Sequence, residues 1–332
     1  MRSLILHNRF FSKKILTISA KLCVILVLFW ILYVQLFQNN DLTSLISQFN
    51  QSMDIDGNWV YLVLAICLMP INWLLEGKKW ATLVNQFQSF TFTEALKSIL
   101  AGISLAIMTP GRIGEYGGRL VGIKSSNRPK AIVANLISSL SQNSINIGVG
   151  MIGALLFLQY YMPMHQSVFA SLIFLGLGVT LVLLLIYFRI DLLSGIVSYL
   201  PQWKWVVNIK NSIASFEQMS FTSLTVILGI SFVRFCIYVS QYVMLIYFFG
   251  VTHNLIAAVL GVITVFFLQS NLPLPPALSV LARGEMAIFL WSVFTTNVLG
   301  ILAASFSLWI INLVVPALLG TIIISQVKLF ED

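Results

Sequence analysis

Two clusters of arginine, glycine and glutamate each follow a proline break in an apolar stretch of the chain. The first contains Arg112, Glu115 and Arg119, interspersed with glycines. The second has Arg283 and Glu285 on either side of one glycine. Guanidinium groups hold phosphate oxygens in a bidentate geometry, and glycines allow close approach of the backbone. The clusters therefore predict a site for an anionic headgroup. The alternative is a structural arginine–glutamate pair for the first cluster and an ordinary interfacial helix start for the second.

Two stripes of polar residues at helical spacing extend this site. In the stretch 131–158 the stripe consists of Asn135, Ser138, Ser139, Gln142, Asn143 and Asn146. In the stretch 221–249 it consists of Ser231, Arg234, Tyr238 and Gln241. A polar face on an apolar helix turns away from lipid, toward the bundle interior or a wet cavity. Contacts between helices through amide side chains are the alternative explanation of the first stripe.

Arg234 lies in the middle of its apolar stretch and needs an acidic partner, for which Glu115 and Glu285 are the candidates. Asn72 and Glu76, near the end of another apolar stretch, face either the same cavity or the membrane interface. The residues predicted to bind the headgroup are Arg112, Glu115, Arg119, Asn135, Gln142, Asn143, Asn146, Arg234, Tyr238, Arg283 and Glu285.

The composition excludes an ordinary soluble domain. Of the 332 residues 58% are hydrophobic and only 9% are charged, whereas soluble domains carry roughly a quarter charged residues. Apolar runs of about 20 residues recur, long enough to cross the hydrocarbon core as helices. The net charge is +8, and the basic residues lie between these runs. This distribution favours a positive-inside bias over nucleic-acid binding. The chain is therefore predicted to be an all-α polytopic membrane protein.

Length and charge predict about six full spans. The predicted spans are Ile15–Phe37, Trp59–Leu75, Ala131–Leu158, Val168–Phe188, Phe221–Phe249 and Ile301–Ser325. The apolar segment Ala95–Met108 is too short to cross, at about 21 Å against a core of about 30 Å, and a basic stretch follows it. We therefore predict a re-entrant hairpin at 94–119 and a second one at 255–299, with limbs Leu255–Gln269 and Glu285–Leu299. Two full spans between 285 and 325 are the alternative.

The order of these elements indicates an internal repeat within a single membrane domain, 1–332. The first repeat, 15–158, and the second, 167–326, each have two spans, a hairpin and a third span. Three crossings per repeat invert the second relative to the first, as in inverted-repeat transporters. Basic residues at the N-terminus place both termini in the cytoplasm, with the protein in the cell membrane.

The run Thr-Pro-Gly-Arg-Ile-Gly-Glu-Tyr-Gly-Gly-Arg at 109–119 and the later proline-rich turn with Arg283-Gly284-Glu285 resemble the lysylphosphatidylglycerol synthase transmembrane-region family, also called flippase-like membrane proteins. The resemblance implies movement of a lipid or lipid-linked headgroup between leaflets. The second motif departs from the family, which usually has Pro-Gly-Gly where this chain has Pro275-Pro276-Ala277. Larger members carry an aminoacyl-transfer domain, and no stretch of this chain is expected to be one.

The expected function is therefore a lipid flippase-like transporter for an anionic phospholipid or a polyprenyl-phosphate-linked headgroup. An intramembrane lipid-modifying transferase and a non-transporting scaffold for such an enzyme are the alternatives. The chain has no nucleophile-elbow or P-loop motif, and its three cysteines have no paired spacing. We therefore predict no catalytic residue, metal ligand, cofactor or nucleic-acid partner. The sequence leaves the lipid, the energy source and the oligomeric state open.

Overall fold

The computed structural model describes residues 43, 46, 47, 50, 58–109, 113–161, 165–199, 201, 203–270 and 276–326. Within these residues the regular secondary structure is helical, without a strand. The predicted first span, Ile15–Phe37, and the predicted binding residue Arg112 lie outside the described residues. The described part of the chain confirms an all-helical membrane protein.

The helices differ widely in length. They are α1 (Trp59–Val84), α2 (Phe92–Met108), α3 (Ile113–Gly118), α4 (Arg128–Tyr161), α5 (Gln166–Phe188), α6 (Ile190–Ser198), α7 (Lys204–Glu217), α8 (Phe221–Phe248), α9 (Leu255–Ser270), α10 (Pro276–Trp291), α11 (Val298–Trp309) and α12 (Val315–Gln326). A 3₁₀ turn, Ser125–Asn127, precedes α4, and a π-helical segment, Ile310–Val314, joins α11 to α12.

Five helical segments of the described chain are long and apolar enough to cross a membrane. They are α1, α4 with its preceding 3₁₀ turn, α5, α8 and the continuous α11–π–α12 segment. Their positions match the predicted spans other than Ile15–Phe37. α5 exposes most of its apolar side chains, as expected of a helix on the lipid-facing periphery.

The first predicted hairpin corresponds to α2 and α3. α2 starts in a capping box, in which the Thr91 hydroxyl accepts from the Glu94 amide and the Glu94 carboxylate accepts from the Thr91 amide at 2.7 Å. The Thr91 hydroxyl also donates to the Glu94 carboxylate at 2.7 Å, and this hydrogen bond, together with the one from the Thr91 amide, lowers the pKa of Glu94. The 17 residues of α2 rise only about 26 Å, and α3 then packs against α2.

The second predicted hairpin differs from the expectation in its second limb. The limb starts at Pro276 rather than at Glu285, so Glu285 lies in the second half of α10. Proline is well suited to the first turn of a helix, because the missing N–H has no partner there in any case. α10 ends at Trp291, and the last span begins at Val298 rather than at Ile301.

The packing around the two predicted hairpins is reciprocal. α1 packs against α8, α2 packs against α12, and α9 packs against α4. Glycines lie at the α2–α12 and α4–α9 contacts. A Cβ on Gly320 of α12 would lie 2.0 Å from the Leu100 carbonyl oxygen of α2, and a Cβ on Gly153 of α4 would lie 2.3 Å from Ile263 of α9. Small residues of this kind let membrane helices approach closely.

Candidate functional site

A polar cavity of about 570 Å³ lies among α1, α3, α4, α8, α9, α10, α11 and the π segment. Its apolar lining includes Trp73 of α1, Phe235 of α8, Leu308 of α11 and Leu313 of the π segment. The predicted binding residues that line it are Glu115, Arg119, Gln142, Asn143, Asn146, Arg234, Tyr238 and Arg283. Asn135 is buried away from the cavity, and Glu285 is not part of its lining. Their role in binding stays a prediction.

Glu76 of α1 is the centre of the charged network. Its carboxylate is buried and pairs with three cations: Lys79 at 3.0 Å, Arg119 at 2.6 Å, and Arg234. All three cationic side chains are themselves buried, at 1% to 7% exposure. A single carboxylate therefore holds side chains from α1, from the end of α3 and from α8.

This arrangement corrects the prediction for Arg234. Its acidic partner is Glu76, whereas Glu115 and Glu285 were the expected candidates. The reason is that α1 continues to Val84, nine residues beyond the predicted end at Leu75, so that Glu76 and Lys79 lie inside a helix and line the cavity. The spacing of Asn72, Glu76 and Lys79 by four and three residues is the signal that reveals this polar face.

Arg234 is held on several sides. Its Nε donates to Asn72 Oδ1 at 2.8 Å and its Nη1 donates to Gln142 Oε1 at 3.1 Å. The guanidinium also lies over the Tyr238 ring, with 5.9 Å between its central carbon and the ring centroid. Gln142 in turn donates to Asn146 at 3.2 Å, so the polar stripe of α4 is bonded to the arginine and faces the cavity.

Lys79 links the network to two serine side chains. Its ammonium lies 3.3 Å from Ser231 Oγ, and Ser231 shares a hydrogen bond of 2.8 Å with Ser141. These contacts join α1, α4 and α8. Lys79 lines the cavity, although the sequence pattern did not single it out as a binding residue.

The glycines of the 109–119 run allow α3 to fold back onto α2. A Cβ on Gly118 would lie 2.4 Å from the Gly102 backbone, and one on Gly114 would lie 2.2 Å from the Leu105 carbonyl oxygen. The Gly114 amide donates to the Thr109 hydroxyl at 2.7 Å, which fixes the start of α3. The run therefore presents a helical turn whose end carries Arg119 into the cavity.

Arg119 is shared between two carboxylates. Its Nη2 donates to Glu76 at 2.6 Å and to Glu115 at 2.7 Å, and the guanidinium lies over the Trp80 ring at 5.2 Å. Its Nε and Nη1 are buried and have no hydrogen-bond partner among the described residues. Buried donors without partners are costly, so these two nitrogens need an acceptor from water or a ligand.

Of the second arginine–glutamate cluster, Arg283 lines the cavity. Its Nη1 donates to Gln269 Oε1 at 3.3 Å, which links α10 to α9 at the cavity wall. Glu285 has one buried carboxylate oxygen. Gly284 packs against α11, where a Cβ would lie 3.1 Å from Leu302.

The described lining carries more positive than negative charge. Its cations are Lys79, Arg119, Arg234 and Arg283, and its carboxylates are Glu76 and Glu115. Four cations against two carboxylates leave a surplus of two positive charges, and one remains even if Glu285 is counted. Such a surplus is costly in a low-dielectric interior unless an anion or water offsets it.

This geometry defines an integral membrane protein whose helices enclose a cation-rich cavity. The chain belongs to the lysylphosphatidylglycerol synthase TM region family, because the family's profile matches residues 18–320, nearly the whole chain. The match confirms the resemblance drawn from the 109–119 run and associates the protein with lipid handling. Comparison with curated proteins finds no match, and comparison with solved structures finds none either.

Proposed function

We propose that this protein is a lipid flippase-like transporter that binds the anionic headgroup of a lipid in the cavity and passes it between leaflets. The observation that carries the proposal is the buried surplus of cations around Glu76, next to the unpartnered N–H groups of Arg119. A phosphate offers acceptor oxygens to several arginines at once, whereas a neutral headgroup would leave the surplus uncompensated. The acyl chains remain in lipid, so only the headgroup needs a protected path.

The reciprocal helix contacts support an inverted-repeat mechanism. The first limb of each hairpin packs against the third span of the opposite half, α2 on α12 and α9 on α4, and the second spans α1 and α8 pack on each other. Two inverted halves that meet around a central site can rock against one another and open it to either side. In this proposal both termini are cytoplasmic and the protein resides in the cell membrane.

Within the cavity, the headgroup phosphate competes with the carboxylates for the arginines. Glu76 is the more deeply buried carboxylate, at 3% exposure, and holds three cations, whereas Glu115 is 19% exposed and pairs with Arg119. We expect a bound phosphate to displace Glu115 first. Because Glu115 lies on α3, its release changes the contacts of the first hairpin and couples binding to the hairpin's position.

Reconstitution tests the proposal directly. The protein is placed in liposomes with a fluorescent phosphatidylglycerol, and an impermeant quencher is added. Loss of fluorescence beyond the outer-leaflet share that empty liposomes lose reports translocation. Transport without chemical change is the expected result. A modified lipid in the extract would favour an intramembrane transferase instead, and neither transport nor modification would favour a scaffold. Empty liposomes and an Arg119→Ala variant serve as controls.

A further inference from the structure

The end of α5 and the start of α8 are in contact. The Tyr187 hydroxyl of α5 donates to the Leu224 carbonyl of α8 at 2.7 Å, and the Phe188 and Phe221 rings stack with centroids 4.8 Å apart. Connections between neighbouring helices of a bundle usually take about 2–8 residues. Here the chain inserts residues 189–220, which form α6 and α7. The connection is therefore far longer than the two joined ends require.

One face of α7 packs on the rest of the protein. Its buried Ile213 and Phe216 belong to one hydrophobic cluster with residues of α1, α2 and α4. Phe216 meets the Phe87 ring, in the turn between α1 and α2, edge to face at 5.9 Å. The outward face of α7 is polar and exposes Asn208, Lys210, Asn211 and Glu217. α7 therefore links this connection to the start of the first hairpin and turns a polar side outward.

The corner between α6 and α7 differs from this polar face because it exposes large apolar and aromatic side chains. Leu192 of α6 is 42% exposed, Tyr199 after α6 is 91% exposed, and Trp203 before α7 is 58% exposed. Leu192 and Tyr199 are about two helical turns apart, so they continue one side of α6. An exposed group of such side chains marks an interaction surface. We call Leu192, Tyr199 and Trp203 the α6–α7 corner.

The lipid-facing surface of the spans extends to the helix ends from which this corner projects. Leu185, in the last turn of α5, is 50% exposed, and Phe221, the first residue of α8, is 69% exposed. Because α6 and α7 start from these two ends, they lie at the edge of the hydrocarbon core. Tyrosine and tryptophan are enriched at this level, since their rings are apolar and their tips are polar. The surroundings of the corner therefore favour lipid headgroups as its occupant.

We propose that the α6–α7 corner inserts into the headgroup region of the leaflet in which α5 ends. α6 then lies in the plane of the membrane interface, and the polar face of α7 is turned toward water. α5 is the fourth predicted span of a chain whose N-terminus is predicted to be cytoplasmic, so this is the cytoplasmic leaflet. The corner lies outside the cavity, and the inference stands whether or not the protein translocates a lipid.

Fluorescence quenching measures the insertion. The three native cysteines of the full-length protein are replaced by alanine, and Tyr199→Cys, Trp203→Cys or Asn211→Cys supplies a single labelling site for nitrobenzoxadiazole. Each labelled protein is placed in liposomes that contain nitroxide lipids of two depths, or iodide on both sides of the membrane. We expect the labels at 199 and 203 to lie about 5–10 Å below the headgroup boundary. The label at 211, on the polar face of α7, should be quenched by iodide and not by nitroxide lipids.

A charged substitution tests whether the aromatic residues hold the corner in the interface. Trp203→Asp, combined with the label at Tyr199→Cys, should move that label toward water, because a carboxylate is costly among acyl chains. Asn208→Asp adds the same charge on the polar face of α7 and is the matched control, which should leave the depth unchanged. An unchanged depth in Trp203→Asp would remove Trp203 from the anchor.

The parent protein provides a test without any substitution. A lipid with a photoactivated diazirine near its headgroup should crosslink to peptides that contain Tyr199 and Trp203, and not to residues 208–217. Absence of these crosslinks overturns the inference however the variants fold. Iodide quenching at 199 and 203 equal to that at 211 places the corner in water and also overturns it. Protection from both quenchers means that protein covers the corner, which excludes lipid as the occupant.

Discussion

Replacing Glu76 by glutamine tests the central claim that one buried carboxylate balances three cations. Glutamine has nearly the same shape and keeps an acceptor oxygen, so the change removes charge with little change in packing. Arg119 retains Glu115 as a partner at 2.7 Å. Lys79 and Arg234 have no other carboxylate within ion-pair distance among the described residues. The cost therefore falls mainly on these two cations.

The size of the effect follows from the burial of the network. Removing one partner of a buried ion pair costs about 3–5 kcal/mol, because the remaining charge is left uncompensated. We expect Glu76→Gln to lower the thermal unfolding midpoint in detergent by about 5 °C or more. The surplus in the described lining rises from two to three positive charges, so an anionic lipid should stabilise the variant more than it stabilises the parent.

Two further variants distinguish charge balance from simple damage. Glu76→Gln combined with Lys79→Met restores the original surplus and should recover part of the lost stability. Glu217→Gln, at an exposed position of α7, removes a carboxylate outside the cavity and should leave the midpoint unchanged. The measurement is thermal unfolding with and without phosphatidylglycerol. A Glu76→Gln midpoint within about 1 °C of the parent, with no added lipid dependence, would refute the reasoning.

Three further predictions address the hairpin, the lipid site and the topology. Gly118→Ala should cost about 1–3 kcal/mol of stability by overpacking. Gly117→Ala should be tolerated, because a Cβ there meets nothing within 4 Å. The measurement is the thermal unfolding midpoint of the two variants. Arg283→Ala should weaken phosphatidylglycerol binding in nanodiscs, and Lys78→Ala, at an exposed position of α1, should not. Lys124→Cys should react with an impermeant thiol reagent only from the cytoplasmic side, and labelling from outside would contradict the re-entrant first hairpin.

Much of the helical layout is predictable because long apolar runs have one stable form in a bilayer, in which every backbone group is bonded within its own helix. The helix Trp59–Val84 is longer than this reasoning predicts. The apolar run ends near Leu75, but the helix continues because Glu76 pairs with Lys79 of the same helix and with arginines on other elements. Such partners are distant in sequence, as with Arg234, which lies 158 residues from Glu76.

The second hairpin shows a different limit. The expected limb Glu285–Leu299 was placed by the position of a charged cluster, whereas the helix begins at Pro276, where proline suits a first turn. Asn312 escaped prediction for a related reason. Its polar side chain is isolated in an apolar run, and only the π turn before Pro316 brings it into the cavity lining. A sequence pattern with the α-helical period of 3.6 residues does not predict a turn that is locally wider.

Arg119 connects the two parts of the mechanism. It is the one cation of the described network that pairs with both carboxylates of the lining, Glu76 in a span and Glu115 in the first hairpin. In the proposed mechanism an anion that recruits Arg119 weakens both pairs at once, but Glu76 keeps Lys79 and Arg234 and is the more buried carboxylate, at 3% exposure against 19% for Glu115. We therefore expect ligand binding to disturb α3 more than the spans. On this reasoning α3 moves when the headgroup enters, and the helices around Glu76 provide the fixed frame.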